Sequence, residues 1–257
     1  MRYFIEFAYK GTYYHGWQIQ PNAISVQQIL NQALSIILKI DINLVGAGRT
    51  DTGVHAKQMF AHFDFDESIE KDFLIYKLNS YLPKDIAVLD FYKVSNNAHA
   101  RFNATKRTYE YHIHTQKNAF DSDDSYYFKN NLNIDLMNKA CQILKNHTNF
   151  ECFSKVHTDV NTFNCTIENA IWIKNETKII FTIAADRFLR NMVRAIVGTM
   201  INVGLEKVSL QQFIEIIESK DRKKAGFSVP AHGLYLTKIE YQKALGIGKK
   251  LNAKSEK

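Results

Sequence analysis

The sequence has few of the residues that build disulfide frameworks or flexible linkers. Only three of its 257 residues are cysteine and three are proline. The cysteines form no CxxC pair, and their odd number, with no apolar stretch at the N-terminus, indicates a reducing, cytoplasmic compartment. We therefore expect no disulfide bonds. Cys141 and Cys165 fit small buried side chains better than nucleophiles or metal ligands.

Long apolar runs are also missing. None approaches the roughly 20 residues that cross a bilayer, which indicates a soluble protein with no membrane partner. Hydrophobic residues still make up 46% of the chain, enough for a substantial core and against general disorder. The net charge of +7 suggests a polyanionic partner such as RNA or DNA. That indication is weak, because part of the excess comes from lysines after residue 248.

Hydrophobic periodicity predicts two successive β-α-β-β-α-β halves, the second with an additional helix. This is an α+β class with antiparallel sheets and helices on one face. We place the boundary near Ala104, giving halves at 1–104 and 105–241 and a basic tail at 242–257. No Pro/Gly/Ser-rich linker marks the boundary, so a cleft between closely packed halves is the natural place for a site. The predicted strands are 2–9, 42–45, 55–65, 86–94, 107–115, 162–173, 178–185 and 233–241, and the predicted helices begin at Ser25 or span 69–81, 134–147, 188–203 and 209–220.

A glycine-punctuated segment, Gly46-Ala-Gly-Arg-Thr-Asp-Thr-Gly-Val-His-Ala56, is the first candidate site. Its glycines at 46, 48 and 53 permit positive φ angles and close backbone approach. Flanking strands would hold the loop rigidly, with Asp51 and Arg49 facing a ligand. Alone, however, such a segment is also typical of an ordinary turn.

The predicted helix at 188–203 is apolar, yet Arg190 and Arg194 lie four residues apart on one of its faces, just after Arg187. A buried guanidinium without a partner is very costly, so Arg194 requires a carboxylate. Asp51 is the partner we predict, and the pair would keep Asp51 ionised. Arg187 and Arg190 fit phosphate contacts on a solvated face.

A second basic and aromatic segment runs from His99 to Tyr111. Tyr109 and Tyr111 share one face of a strand, where such pairs are commonly core residues. The preceding Lys106-Arg107 favours a functional role for Tyr109, which could stack on a base or sugar. His112 and His114 also share a face, but no third ligand stands at metal spacing, so we predict no metal site.

Six motifs follow one another along the chain: Gly16-Trp-Gln18, Gly48-Arg-Thr-Asp-Thr-Gly-Val-His-Ala56, Ala100-Arg-Phe102, Arg107-Thr-Tyr-Glu-Tyr111, Met192-Val-Arg194 and Gly233-Leu-Tyr-Leu236. Together they resemble the tRNA pseudouridine synthase A family. The similarity extends from Tyr3 to about Ile239, with the motifs in the family's order. One departure is Thr52, where the family usually has alanine after the catalytic aspartate.

The resemblance implies the pseudouridine synthase fold, with two ferredoxin-like halves around an active-site cleft. It implies an isomerase that converts uridine to pseudouridine in the anticodon arm of tRNA, without metal or nucleotide cofactor. The family enzyme cleaves the bond from uracil N1 to C1′, turns the bound base and rejoins it through C5. The family is homodimeric, so the resemblance also implies a homodimer.

The family's residue roles carry over position by position. Asp51 would be the essential carboxylate, either attacking C1′ or assisting proton removal, with Arg194 orienting it. Tyr109 would pack on the base and could help deprotonate C5, and Leu234 would pack near the uracil. Arg49 would fill the place of the flipped base. The expected contacts to the RNA backbone are Lys10, Arg101, Lys106, Arg107, Arg187 and Arg190.

Two other readings stay open. Asp51-Thr52-Gly53 faintly resembles phosphotransferases that form an aspartyl phosphate, although such sites usually have a second carboxylate where this chain has Gly53. A non-catalytic RNA-binding module would explain the charge and aromatic residues equally well. It would not explain an arginine in an apolar helix that needs a carboxylate.

Overall fold

The computed structural model describes residues 1–156 and 160–247, which form one mixed sheet and its covering helices. Within this part the sheet has nine strands and there are five α-helices, as an α+β class requires. The strands are β1 (Arg2–Tyr9), β2 (Val45–Gly46), β3 (His55–Asp64), β4 (Ile86–Val94), β5 (Ala104–His114), β6 (Tyr126–Tyr127), β7 (Ile167–Asn175), β8 (Lys178–Ala185) and β9 (Leu234–Tyr241). The helices are α1 (Val26–Leu38), α2 (Lys71–Tyr81), α3 (Ile134–Lys145), α4 (Met192–Gly204) and α5 (Leu210–Glu218).

The strand order repeats along the sheet. The first half runs β4-β1-β3-β2 and the second runs β9-β5-β8-β7, with the small β6 beside β5. Each half has the order 4-1-3-2 of a β-α-β-β-α-β unit, as the periodicity predicts. The halves join where β3 and β9 pair in parallel, through His55 with Tyr235 and Ala56 with Leu236. The Asp51 loop, which leads into β3, therefore lies at the junction.

Two apolar cores lie behind this sheet, one for each half. Helix α1 is capped by Ser25, whose hydroxyl accepts from the Gln28 N–H, and it buries Val26, Leu30 and Leu34 in the first core. Helix α4 buries nearly all its residues in the second core. An arginine in α4 thus enters an environment that ordinarily excludes charge.

The predicted helix at 188–203 begins too early. Asn191 has a left-handed backbone, with φ 67°, and α4 starts only at Met192. A right-handed helix cannot pass through a left-handed residue, so Arg187 and Arg190 lie in the preceding loop, and only Arg194 is helical. The predicted strand at 42–45 is reduced to β2 because Ile42 and Leu44 are buried without ladder pairing.

The other boundaries differ by a few residues. The hairpin reverses at Glu176-Thr177, one residue later than predicted, because Asn175 still pairs with Lys178. Strand β5 begins at Ala104, where the sequence places the boundary between halves. Of the predicted tail at 242–257, residues 248 onward lie outside the described part. None of the helices in 1–156 and 160–247 is long and apolar enough to cross a membrane.

All three cysteine side chains are buried. Burial raises the pKa of Cys141 and Cys152 to about 12 and that of Cys165 to about 11. Thiols protonated at neutral pH are poor nucleophiles, which agrees with the packing role predicted for Cys141 and Cys165.

His62 is buried, and we expect it to make the stability of the protein depend on pH. Its Nδ1 accepts from the Ala100 N–H at 3.2 Å, and burial, followed by the charges of His99 and Arg2, lowers its pKa to about 4. Because an unfolded histidine binds a proton below about pH 6.5, this residue opposes folding increasingly as the pH falls from 6.5 to 4. We expect it to lower the free energy of unfolding by at most about 3 kcal/mol over that window.

Urea unfolding at pH 7 and pH 4.5 measures this contribution. In His62→Asn, whose amide oxygen can still accept from Ala100, the loss of stability at low pH should shrink by most of that amount. The exposed His15 provides the matched control, His15→Asn, which should behave as the wild type. Equal pH dependence in all three proteins would show that His62 is not the responsible group.

Candidate active site

The Asp51 loop is held by backbone contacts to the loop between β1 and α1, which contains Tyr14 and Trp17. The Trp17 N–H donates to the Thr50 carbonyl at 3.4 Å, and the Gly53 N–H donates to the Tyr14 carbonyl at 3.3 Å. A Cβ at Gly16 would overlap the Thr50 carbonyl, so the two segments approach as closely as glycine permits. Of the three loop glycines, only Gly53 has a positive φ, at 78°. Gly46 instead allows a close approach, because a Cβ there would overlap the Trp17 indole, whereas Gly48 has neither a positive φ nor a close contact among the described residues.

The predicted pair between Asp51 and Arg194 is present. Nη1 of Arg194 lies 3.4 Å from Oδ2 of Asp51, while its Nε donates to the Val229 carbonyl at 2.7 Å. The Val229 N–H in turn donates to the Arg194 carbonyl at 3.3 Å. The arginine side chain is only 20% exposed, and two partners fix its planar guanidinium. The carboxylate is thereby held by an arginine of the first turn of α4.

Arg190 reaches the same carboxylate from the loop before α4. Its Nε lies 3.7 Å from Oδ1 of Asp51, so each carboxylate oxygen faces one guanidinium. Unlike Arg194, Arg190 is 59% exposed and its contact is longer than a hydrogen bond. The predicted helical face shared by Arg190 and Arg194 is wrong, yet the two side chains still converge. Arg190 is the more easily displaced of the two cations.

Tyr109 lies in β5 and is half-buried, whereas Tyr111 is completely buried. The Tyr109 ring contacts the Phe188 ring edge to face, with 5.1 Å between the centroids. Burial raises the pKa of Tyr109 to about 12. The nearby charge of Arg107 acts to lower this pKa, and that of Asp51 acts to raise it. The phenol is therefore protonated at neutral pH. Leu234 pairs with Tyr111 across β5 and β9 and is 6% exposed, which places an apolar residue at the start of β9.

His55, which the sequence reasoning did not single out, ties three segments together behind the loop. Its Nδ1 accepts from the Gly11 N–H at 3.0 Å, and its Nε2 is 3.0 Å from the His232 carbonyl, to which it donates. Burial lowers its pKa, consistent with a neutral ring that has one donor and one acceptor. Its position in the segment from Gly48 to Ala56, four residues after Asp51, was the available signal.

Tyr9 and Thr50 were also missed. The buried Tyr9 hydroxyl lies 2.9 Å from the Thr50 hydroxyl, directly beside Asp51 in the chain. Because this bond restrains the residue next to the carboxylate, we expect Tyr9→Phe and Thr50→Val each to lower kcat by roughly threefold to tenfold, the worth of about one hydrogen bond. KM should change little, since Tyr9 is buried and Thr50 is not one of the cations expected to hold the RNA.

Steady-state kinetics of the two variants and the double variant test this positioning role. If both act through the same bond, the double variant should be no slower than the slower single variant. Losses that multiply, or a change in KM alone, would show that the hydroxyl pair does not position Asp51. Tyr3→Phe, which removes another part-buried hydroxyl at the far end of β1, is the matched control.

The remaining basic residues that were predicted to contact the RNA fall into two groups. Arg49 and Arg101 are exposed, and with the half-buried Arg187 they form no ion pair within the described residues. Three others are engaged: Lys10 pairs with Asp124 at 2.8 Å, Lys106 with Glu168 and Glu240 at 3.2 Å each, and Arg107 donates to the carbonyls of Ala47, Arg101, Ala104 and Asp186. Arg107 thus joins loops of both halves, and its phosphate contact stays a prediction.

Residues 140–242 match the family model described as tRNA pseudouridine synthase. Much of the second half, including Arg194, Val229 and Leu234, lies within this match. The class of protein that the sheet and the Asp51 site suggest is therefore also found by comparison.

Similarity to individual proteins extends over both halves. The chain is 50% identical over 245 residues to tRNA pseudouridine synthase A of Parabacteroides distasonis, covering 95% of this chain and 97% of the relative. It is 51% identical over 242 residues to the Bacteroides fragilis protein of the same name, covering 93% and 96%. A Thermoanaerobacter relative of that name is 42% identical over 240 residues, covering 91% and 96%. The chain belongs to the tRNA pseudouridine synthase A family.

Proposed function

We propose that this protein isomerises uridine to pseudouridine in the anticodon arm of tRNA, with Asp51 as the essential carboxylate. The observation that carries the proposal is the contact of Asp51 with Arg194, 3.4 Å apart at the junction of the two halves. A binding module does not need a carboxylate fixed by a guanidinium of an apolar helix. A reaction at the sugar does, since its carboxylate must be ionised and oriented.

The reaction requires no outside reactant. The bond from uracil N1 to C1′ breaks, a new bond forms from C5 to C1′, and the hydrogen of C5 leaves as a proton while N1 gains one. Substrate and product are isomers, so neither an oxidant nor a nucleotide is consumed. Asp51 either attacks C1′ or assists proton removal from the sugar, and both roles require its oxygen near C1′.

The other side chains of the site have separate tasks. Arg194 orients the carboxylate, and Leu234 contributes an apolar surface for uracil. Tyr109 packs against the base, and its protonated phenol suits a hydrogen-bond donor better than a base that removes the C5 proton.

Arginine and lysine side chains around the site would hold the RNA. A stem uridine must leave its stack to reach Asp51, at a cost of a few kcal/mol. Arg49 is exposed and only two residues from Asp51, so it is placed to occupy the vacated position. Arg101 and Arg187 would bind the backbone, whereas Lys10 and Lys106 would first have to exchange their carboxylates for phosphates.

Release of tritium from unmodified tRNA labelled at C5 of uridine tests the activity. We expect the purified protein to release the label with no metal or nucleotide added, because C5 loses its hydrogen in the isomerisation. A parallel filter-binding assay provides the control for RNA binding. Retention of the label while tRNA is bound would favour the non-catalytic RNA-binding module. Phosphate release activated by magnesium would instead favour the phosphotransferase.

The family resemblance also supports a homodimer in the cytoplasm as part of the proposal. Light scattering at assay concentrations gives the mass directly, and a value near twice 29.7 kDa is expected. A monomeric mass in a preparation that releases tritium would contradict the dimer without affecting the proposed reaction.

A further inference from the structure

A strongly basic segment without an assigned role follows α5. Residues 220–224 carry four cations and one carboxylate, and Lys220, Lys223 and Lys224 are exposed. These three lysines form no ion pair within the described residues. Three residues further on, the Phe227 side chain is 48% exposed. Exposed cations interleaved with an exposed aromatic ring are typical of contacts to single-stranded nucleic acid.

The segment has a defined shape. Arg222 is its internal anchor, since its Nη1 donates to the Gly226 carbonyl at 3.0 Å and its Nη2 to the Ser228 hydroxyl at 2.9 Å. The Asp221 carboxylate accepts from the Lys223 N–H at 2.9 Å. Arg222 and Asp221 are thus used within the segment, and the three exposed lysines are left to face a partner.

The segment also lies along α4 and leads to the Asp51 site. The Gly226 N–H donates to the Thr199 hydroxyl at 2.8 Å, and a Cβ at Gly198 would overlap the Phe227 carbonyl. Two residues later Val229 binds Arg194, on the first turn of the helix. Because α4 rises 1.5 Å per residue, the chain descends roughly 8 Å along it between the levels of Thr199 and Arg194.

We propose that residues 220–227 form a second contact for the RNA strand flanking the target uridine. Lys220, Lys223 and Lys224 bind successive phosphates, and Phe227 stacks on an unpaired base of the same strand. The inference rests on the proposed function, because the chain runs from the lysines past Phe227 to Val229, whose carbonyl binds the arginine that contacts Asp51. A protein partner would not need a lysine series joined to the reacting site by a stacking ring.

The test uses an unmodified tRNA transcript and the full-length protein. In K220Q/K223Q/K224Q we expect KM to rise about tenfold, with kcat within a factor of two of the wild type. The logarithmic dependence of Kd on salt should lose a slope of about 2 to 3, corresponding to three phosphate contacts. The control K139Q/K145Q/K174Q removes three exposed lysines of α3 and the β7 edge, with the same change in net charge.

Phe227 is tested independently of charge. Phe227→Leu should raise KM at least fivefold, since it keeps an apolar side chain but removes the stacking face, and Phe227→Tyr should restore it. Thermal midpoints of all variants check that the fold is kept. Equal KM and salt slope in the two lysine triples, or equal KM for the Leu and Tyr variants, would overturn the inference.

The two proposals fail in different ways. If the wild type binds tRNA but releases no tritium, the proposed reaction is wrong, and the salt slopes still decide whether residues 220–224 bind RNA. If the wild type releases tritium and the lysine triple matches its control, only the second contact is wrong.

Discussion

Asp51→Asn should bind unmodified tRNA as tightly as the wild type and convert none of its uridine, a loss of at least about a thousandfold in kcat. The amide keeps the shape of the side chain but neither attacks carbon nor accepts a proton effectively. Binding is retained because it depends on cations at the surface, and the substitution leaves those cations in place. Single-turnover assays with excess protein separate the two quantities.

Asp66→Asn is the control for a lost negative charge, since that carboxylate is fully exposed and lies 4.0 Å from the N-terminal amine. Its turnover should equal that of the wild type. If Asp51→Asn turned over at the normal rate, Asp51 would not be the reacting group. Loss of tRNA binding together with turnover would point instead to a structural role for the loop.

Arg194→Gln should lower kcat by about a hundredfold to a thousandfold, the usual effect of removing one fixed donor from a reacting centre. The substitution removes both the ion pair with Asp51 and the bond to Val229. Arg194→Lys keeps the charge but lacks the planar guanidinium that reaches two partners. Its kcat should therefore lie between that of the wild type and that of Arg194→Gln. KM should change far less than kcat, because the side chain is mostly buried.

A double-variant cycle distinguishes positioning from a structural role. If Arg194 acts through Asp51, Asp51→Asn combined with Arg194→Gln should be no slower than Asp51→Asn alone. Arg2→Gln is the matched control, because Arg2 also pairs with an aspartate, Asp64, but far from the site. Arg2 lies about seven strand residues, roughly 23 Å, from Tyr9, which is at the end of β1 near the site. Equal kcat for Arg194→Gln and the wild type would contradict the role assigned to Arg194.

The sequence predicted the two halves, two helix starts and the Asp51–Arg194 pair, because each depends on neighbouring residues or on the high cost of burying an unpaired charge. The period of apolar residues gave both β-α-β-β-α-β halves, and Ser25 and Ser209 marked two helix starts. The Arg194 pair was predictable because a guanidinium in an apolar helix has few ways to be satisfied. Asp51 was the available carboxylate in a loop that glycine permits to approach closely.

The missed features depend on contacts between residues distant in sequence. Tyr9 and Thr50 meet only because β1 pairs with β3 in a register that places Tyr9 opposite Ala56. The partners of Lys10 and Lys106 come from β strands or loops more than 60 residues away. Arg190 was misplaced because Asn191 leaves the helical conformation, and the only signal was that asparagine tolerates the left-handed region.

Mapping pseudouridine in a tRNA transcript after incubation with purified protein tests the central claim most directly. The wild type should place pseudouridine in the anticodon arm, on the 3′ side of the loop or in the adjoining stem, and Asp51→Asn should leave the same uridines unchanged. Pseudouridine at those positions with Asp51→Asn, or none with a wild-type protein that binds the transcript, would contradict the proposed reaction.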